Sequence, residues 1–151
     1  MSRRLVIFDA DGTLVDTVED VAECFNQALV AAGYPSSTLE GVSAQLGKPL
    51  EEIVRGILPP DVAREDAAVT AVSQAYRKAY ASSPKSRTRP YPGVSKALRQ
   101  LLDSGIQIAV NSNKPHDNLV RLMDRFFSDL PLLVSGYGNV GVKSAKPDPE
   151  G

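Results

Sequence analysis

Four apolar residues, Leu5-Val-Ile-Phe8, run directly into Asp9-Ala-Asp-Gly-Thr13. Nothing else in the chain restricts its fold so tightly. A short run rich in β-branched and aromatic side chains reads as a strand buried on both faces, as in a parallel sheet. The turn-forming residues that follow end it abruptly. Further along, Ile106 to Val110 reads as a second strand, with Asn111-Ser-Asn-Lys-Pro115 as its terminal loop, and Leu132-Leu-Val134 reads as a third. Val94 to Asp103 is helical, with Val94, Leu98, Leu101 and Leu102 on one side. His116 to Phe127 is helical too, with Leu119, Val120, Met123 and Phe127 inward. Strand, helix, strand, helix, strand predicts an α/β fold with a doubly wound parallel sheet.

The stretch between the first strand and the first of these helices has a different character. Val18, Val21, Ala22, Phe25, Ala28, Leu29 and Ala32 step by three and four and form one apolar stripe. Thr17 fits the helix start, with Asp20 three residues on, and Gly33 fits its end. Leu39 to Leu46 and Leu50 to Leu58 read as shorter helices separated by Gly47-Lys-Pro49. Pro59-Pro60 breaks the chain, and Asp61 to Ala81 reads as a longer helix. Ser82 to Pro92 holds three prolines with Lys85, Arg87 and Arg89, and reads as a solvated hinge. The chain therefore divides into a core, 1–16 with 90–151, and an inserted helical block with its hinge, 17–89.

Composition removes several classes of function. Lys plus Arg is 17 against 18 for Asp plus Glu, a formal net charge of -1, which suits neither a general nucleic-acid binder nor a membrane-surface binder. One cysteine, Cys24, excludes an internal disulfide framework and a cysteine-based zinc site; on its helix it reads as a small buried hydrophobe. One histidine, His116, excludes a multi-histidine metal site and reads as an exposed residue of a first helical turn. No apolar run approaches the roughly 20 residues that span a bilayer. The apolar start is too short for an export signal, so a cytoplasmic setting is the expectation.

In an open parallel sheet a ligand sits beyond the carboxyl ends of the strands. Asp9 and Asp11, then Ser112 and Asn113, then Lys146 all fall at or near such ends, and the topology would draw them together. Asp9 and Asp11 are two residues apart, which puts both side chains on one side. Close carboxylates repel unless a cation lies between them or one takes a proton. A hard divalent ion such as Mg2+, with oxygen ligands and retained waters, is the economical solution. The plain alternative is an Asp-Gly turn with two solvated carboxylates. Ser112 and Asn113 could offer a hydroxyl, an amide and backbone N–H groups to a phosphoryl oxygen, or could simply cap the helix that follows. Lys146 could neutralise a phosphate or the carboxylates. Lys48, at a loop tip between insert helices, is a candidate substrate contact.

Phe8-Asp-Ala-Asp-Gly-Thr-Leu-Val-Asp16 resembles the first motif of the haloacid dehalogenase superfamily in its phosphatase form. Val110-Asn-Ser-Asn-Lys-Pro115 resembles the second motif, Ala145-Lys-Pro-Asp-Pro149 the third, and Tyr91-Pro-Gly93 the return from an inserted cap. Asn113-Lys-Pro115 and the cap type look most like phosphoglycolate phosphatases. The resemblance implies a Rossmann-like core with a helical cap and a Mg2+-dependent phosphatase of a small phosphorylated metabolite, 2-phosphoglycolate leading. It implies Asp9 as nucleophile, forming an aspartyl-phosphate. Asp11 would be general acid, then base. Mg2+ would lie on the Asp9 carboxylate and the Asp11 backbone carbonyl. Ser112 and Lys146 would hold the transferring oxygens, Thr13 would support the loop, and the cap would select the leaving group.

The family carries a fourth, acidic motif, and this sequence ends at Gly151 without one. The expectation is a fragment that binds Mg2+ weakly and turns over slowly or not at all, with an unprotected first strand. Three other readings stay open: a phosphosugar mutase of the same superfamily, a non-catalytic fragment acting by association, and a phospho-accepting receiver domain. The receiver is disfavoured because no Asp directly follows the second or third strand. A small phosphorylated substrate is the expected partner, with no nucleic acid or membrane, and self-association into a homo-oligomer is left open.

Overall fold

A computed structural model describes residues 4–141 and 144–148. The chain divides into two compact units, 1–16 with 89–151 and 17–88. In the first, β1 (Arg4–Phe8), β4 (Ile106–Pro115) and β5 (Leu132–Tyr137) form a parallel sheet in the order β1-β4-β5. Helices α5 (Val94–Asp103) and α6 (His116–Phe127) follow β1 and β4 in the chain. Two short strands, β2 (Val15–Asp16) and β3 (Arg89–Pro90), pair antiparallel where the chain leaves this unit and returns to it.

Both crossovers move the same way across the sheet. Right-handed connections made twice in one direction place both helices on one face. Accordingly Ile108, Val110, Leu98, Leu119, Leu122, Met123 and Phe127 are buried in one cluster. On the other face Leu5 is 49%, Ile7 61% and Leu133 59% exposed. Ile7, Ala109 and Leu133 lie in register across the three strands. The expectation of a first strand buried on both faces is therefore corrected: among the described residues β1 lies at the edge of the sheet with one face packed. Its continuous apolar run gave no sign of which face would be left open.

Two further boundaries move. The stretch read as a loop, Asn111 to Pro115, continues β4, with a register shift between Ser112 and Pro115. Strand β5 runs three residues past Val134, to Tyr137. Polar side chains hid both extensions, because backbone pairing does not require apolar residues.

The second unit holds α1 (Val18–Ala31), α2 (Leu39–Ser43), α3 (Leu50–Ile57) and α4 (Asp66–Ser82). They share a core built from Phe25, Leu29, Val42, Val54, Val69 and Val72, with Cys24 buried in it. Gly33 follows α1 at φ +83, where a residue without Cβ is needed. Helix α4 begins at Asp66 and not Asp61, because the residues after Pro59-Pro60 turn back on the Pro59 carbonyl. Thr17 occupies the start of α1, but its side chain makes no capping bond.

Asp20 has a longer-range role. Its Oδ2 accepts from the Arg87 N–H at 3.0 Å, the Thr88 N–H at 2.6 Å and the Thr88 hydroxyl at 2.6 Å. Arg87 also ion-pairs with Glu19 and Glu23. Lys85 donates to the carbonyls of Tyr80 and Ser83. Lys85 and Arg87 are thus engaged with this unit, which corrects the solvated reading of the hinge: acidic residues one turn apart on α1 meet the returning segment.

Burial of Asp20 raises its pKa, but the hydrogen bonds from Thr88 and Arg87 and the Arg87 charge overcome this and hold it below the ordinary value of 3.8. A carboxyl that titrates lower when folded contributes stability that is complete above the ordinary carboxylate range and is lost as the pH falls through its folded value. Replacing Asp20 by Ala also leaves three donors without their acceptor. At pH 7 Asp20→Ala is expected to destabilise the helical unit by roughly 3 kcal/mol. In denaturant titrations followed by circular dichroism, the gap from the unmodified chain should narrow on acidification below the carboxylate range.

Candidate active site

The loop after β1 is wound around a single backbone oxygen. Ala10 is fully buried, and its carbonyl accepts from the N–H groups of Thr13, Leu14 and Val15 at 3.2, 2.9 and 3.2 Å. Gly12 makes the tight winding possible at φ +77, and its N–H reaches the Val15 carbonyl at 2.9 Å. With Ala10 turned inward, Asp9 and Asp11 flank it on the carboxyl lip of the sheet. Thr13 contributes its backbone N–H to this turn.

The irregularity in β4 aims two more side chains. An extra residue in one strand of a ladder bends that strand and re-aims the side chains beside it. Asn113 and Lys114 lie in that shifted segment. Opposite, Gly136 pairs with Ser112, and a Cβ on Gly136 would lie 2.7 Å from both the Lys114 carbonyl oxygen and the His116 Cα. Only a glycine lets β5 approach the bulge so closely. The Gly136 N–H also donates to His116 Nδ1 at 3.2 Å, so His116 is half-buried and engaged. That corrects the exposed reading: the first turn of α6 lies under the end of β5.

These segments bring distant charges together. Lys146 Nζ donates to Asp9 Oδ1 at 3.0 Å and to the Asn111 carbonyl at 2.8 Å. The Asp9 oxygen also accepts from the Ala10 N–H at 2.8 Å. Asn113 fixes the lysine backbone from both sides: its Oδ1 accepts from the Lys146 N–H at 2.7 Å, and its Nδ2 donates to the Lys146 carbonyl at 3.1 Å. Lys114 Nζ donates to both oxygens of Asp11, at 3.0 and 3.3 Å. Ser112 is buried, and its Oγ accepts from the Lys114 N–H at 3.1 Å. Helix α6 starts after Pro115 with no side-chain cap, so Ser112 and Asn113 hold the site together and do not cap the helix.

Five residues picked from the sequence therefore fall into two hydrogen-bonded groups at this lip, Asp9 with Lys146 and Asn113, and Asp11 with Lys114 and Ser112. Lys48 lies in the helical unit, exposed, with Nζ donating to Gln45 Oε1 at 2.7 Å. Sequence reasoning gave no role to Lys114, though it is the charge on Asp11. Its place beside Ser112 and Asn113 in the polar end of β4 was the available signal. Pro149, the last residue of the third motif, lies outside the described residues.

The two lysines change how the acid pair is compensated. Each carboxylate has an ammonium partner, a third solution beside a bound cation or a shared proton. Among the described residues no cluster of three or more His, Cys, Asp or Glu side chains could cage a metal. The lip carries hard oxygens, among them the Asp9 carboxylate, 37% exposed, and the Asp11 backbone carbonyl. That set fits Mg2+, which binds one or two carboxylates and keeps several waters.

The family model described as Haloacid dehalogenase-like hydrolase matches residues 6–151. The chain belongs to the haloacid dehalogenase-like hydrolases. Among curated relatives, the phosphoglycolate phosphatase of Pseudomonas putida is 36% identical over 125 residues, covering 81% of this chain and 46% of the relative. That of Pseudomonas syringae pv. syringae is 32% identical over 154 residues, covering 97% and 54%. The chain thus spans about half the length of these two relatives. Among solved structures, a protein described as a predicted phosphoglycolate phosphatase from Haemophilus somnus superposes with a TM-score of 0.82 at 24% identity, over 96% of this chain and 66% of that one. A haloacid dehalogenase-like family hydrolase from Streptococcus pneumoniae gives 0.75 at 20%, over 91% and 62%. These likenesses establish the hydrolase fold, an α/β parallel sheet with helices. No helix among the described residues is long and apolar enough to cross a membrane.

The close approach at Gly136 makes a direct test of the bulge. Gly136→Ala should destabilise the core by about 1–3 kcal/mol, because backbone and not a flexible side chain must give way. Thermal unfolding measures the loss, and amide chemical-shift changes should centre on Lys114, His116 and Gly136. A silent substitution would mean that the strands do not approach as described.

Proposed function

We propose that this chain carries the site of a Mg2+-dependent phosphatase acting on a small phosphorylated metabolite, with 2-phosphoglycolate the leading candidate. The observation that carries the reading is the Lys146 ammonium 3.0 Å from the Asp9 carboxylate, which joins the third-motif lysine to the first-motif acid across 137 positions of sequence. The phosphoglycolate phosphatase relatives support the substrate class.

In this reading an Asp9 oxygen attacks phosphorus, the bond to the leaving oxygen breaks, and the phosphoryl group is carried on Asp9. Asp11 gives its proton to the leaving alkoxide and afterwards takes one from the attacking water. Lys146 and Ser112 hold the equatorial oxygens, on which charge is spread in a loose transition state. Asn113 keeps Lys146 in place through its two backbone bonds. Mg2+, held by the Asp9 carboxylate and the Asp11 carbonyl, would offset the repulsion between an anionic nucleophile and a phosphate dianion. Residues 17–88 are the inserted cap of this reading, and Lys48 is its candidate substrate contact. Thr13 supports the loop through its bond to Ala10.

The test is a panel of phosphorylated metabolites with Mg2+, with free phosphate as the readout. Phosphate release from 2-phosphoglycolate is expected, and Asp9→Asn should lower it at least ~1000-fold, since removing a nucleophile costs at least as much as removing an acid or base. The melting temperature should stay within a few degrees. Activity unchanged in Asp9→Asn would refute the assignment, and an isomerised sugar phosphate without free phosphate would favour a mutase.

A further inference from the structure

We infer that Lys114 is the positioning residue for Asp11, and that it acts in the half of the reaction in which water attacks the phosphoryl group on Asp9. The inference rests on the phosphatase reading and adds to it a task for a residue that reading leaves unused. One ammonium donates to both oxygens of Asp11, at 3.0 and 3.3 Å, which fixes the carboxylate plane and its two acceptor directions. The lysine side chain is only 7% exposed.

A lysine is a flexible tether, so holding another group requires that it be held itself. Three features do this. The Lys114 N–H is bonded to Ser112 Oγ, the strand irregularity redirects the residue, and β5 packs against its carbonyl through Gly136. The contrast with Lys146 separates two tasks. Lys146 is 32% exposed and shares its ammonium between Asp9 and the Asn111 carbonyl, as suits a group that must also meet a phosphoryl oxygen. Lys114 places its ammonium on both oxygens of Asp11.

Once Asp11 has given its proton to the leaving group it is a carboxylate, an acceptor only, and that is the form that takes a proton from water. In that step the water oxygen bonds to phosphorus while its proton passes to an Asp11 oxygen. The bond between phosphorus and Asp9 breaks, its electron pair returns to the Asp9 carboxylate, and inorganic phosphate leaves. Lys114 bonds to the base itself, and it works by aiming Asp11.

The test uses p-nitrophenyl phosphate with Mg2+ and the whole chain. Nitrophenolate leaves without needing a proton, so formation of the adduct on Asp9 is separated from its hydrolysis. In Lys114→Gln or Lys114→Met, whichever melts within a few degrees of the unmodified protein, a rapid burst approaching one nitrophenolate per chain should precede a steady rate lowered ~10–100-fold, within the range that a general base supplies. KM should fall with kcat, and acid-quenched chain should carry phosphoryl on Asp9. Lys114→Arg, which keeps a cation there, should recover much of the steady rate. A burst and a steady rate that fall together with no adduct would make Lys114 merely structural, and an unchanged steady rate would also overturn the inference. An unmodified chain that releases no nitrophenolate is a different record: there the phosphatase reading fails, and the inference falls with it.

Discussion

Two carboxylates stand side by side at the lip of a parallel sheet, and each draws a lysine ammonium from a distant part of the chain. The rest of the site depends on that pairing. The Ala10 carbonyl, holding three N–H groups, turns Ala10 inward and leaves Asp9 and Asp11 beside one another. Adjacent negative charges on a partly buried loop need compensation, and Lys146 and Lys114 supply it. The two pairs differ in energy. The Asp9 pair is open to water and contributes little to stability, of the order of 1 kcal/mol. The Asp11 pair is more enclosed and is screened less. A pair that weak at Asp9 is easily exchanged for contacts to a bound phosphate.

The sheet provides the edge on which this happens. Strand β1 delivers the acids, β4 delivers Ser112, Asn113 and Lys114, and the segment after β5 delivers Lys146. Two crossovers in the same direction stack both helices against one face. The opposite face keeps Leu5, Ile7 and Leu133 in water. In the second unit Asp20 ties the first turn of α1 to the returning segment at Arg87 and Thr88, so the ends of the insertion meet on one carboxylate.

Much of this architecture was legible in the sequence. Period and turn chemistry located α1, α5 and α6 almost to the residue, because amphipathic stripes and Gly33 are local signals. The acids, Ser112, Asn113 and Lys146 were legible because a parallel sheet gathers strand ends wherever they lie in the sequence. The features that stayed hidden depend on pairing between segments. The bulge at Asn113 and Lys114 is set by how closely Gly136 approaches, and no local pattern encodes that distance. The open face of β1 was hidden because a uniformly apolar run does not say which side is covered. Asp20 looked like part of a helix start, and its partner stands 68 positions away.

The measurement that bears most directly on this account is peptide mass spectrometry of the chain, acid-quenched during turnover of a phosphorylated substrate with Mg2+. The account predicts a phosphoryl adduct on the peptide that contains Asp9, located on that side chain and absent from Asp9→Asn. Phosphate release with the adduct on another residue, or undiminished in Asp9→Asn, would contradict it.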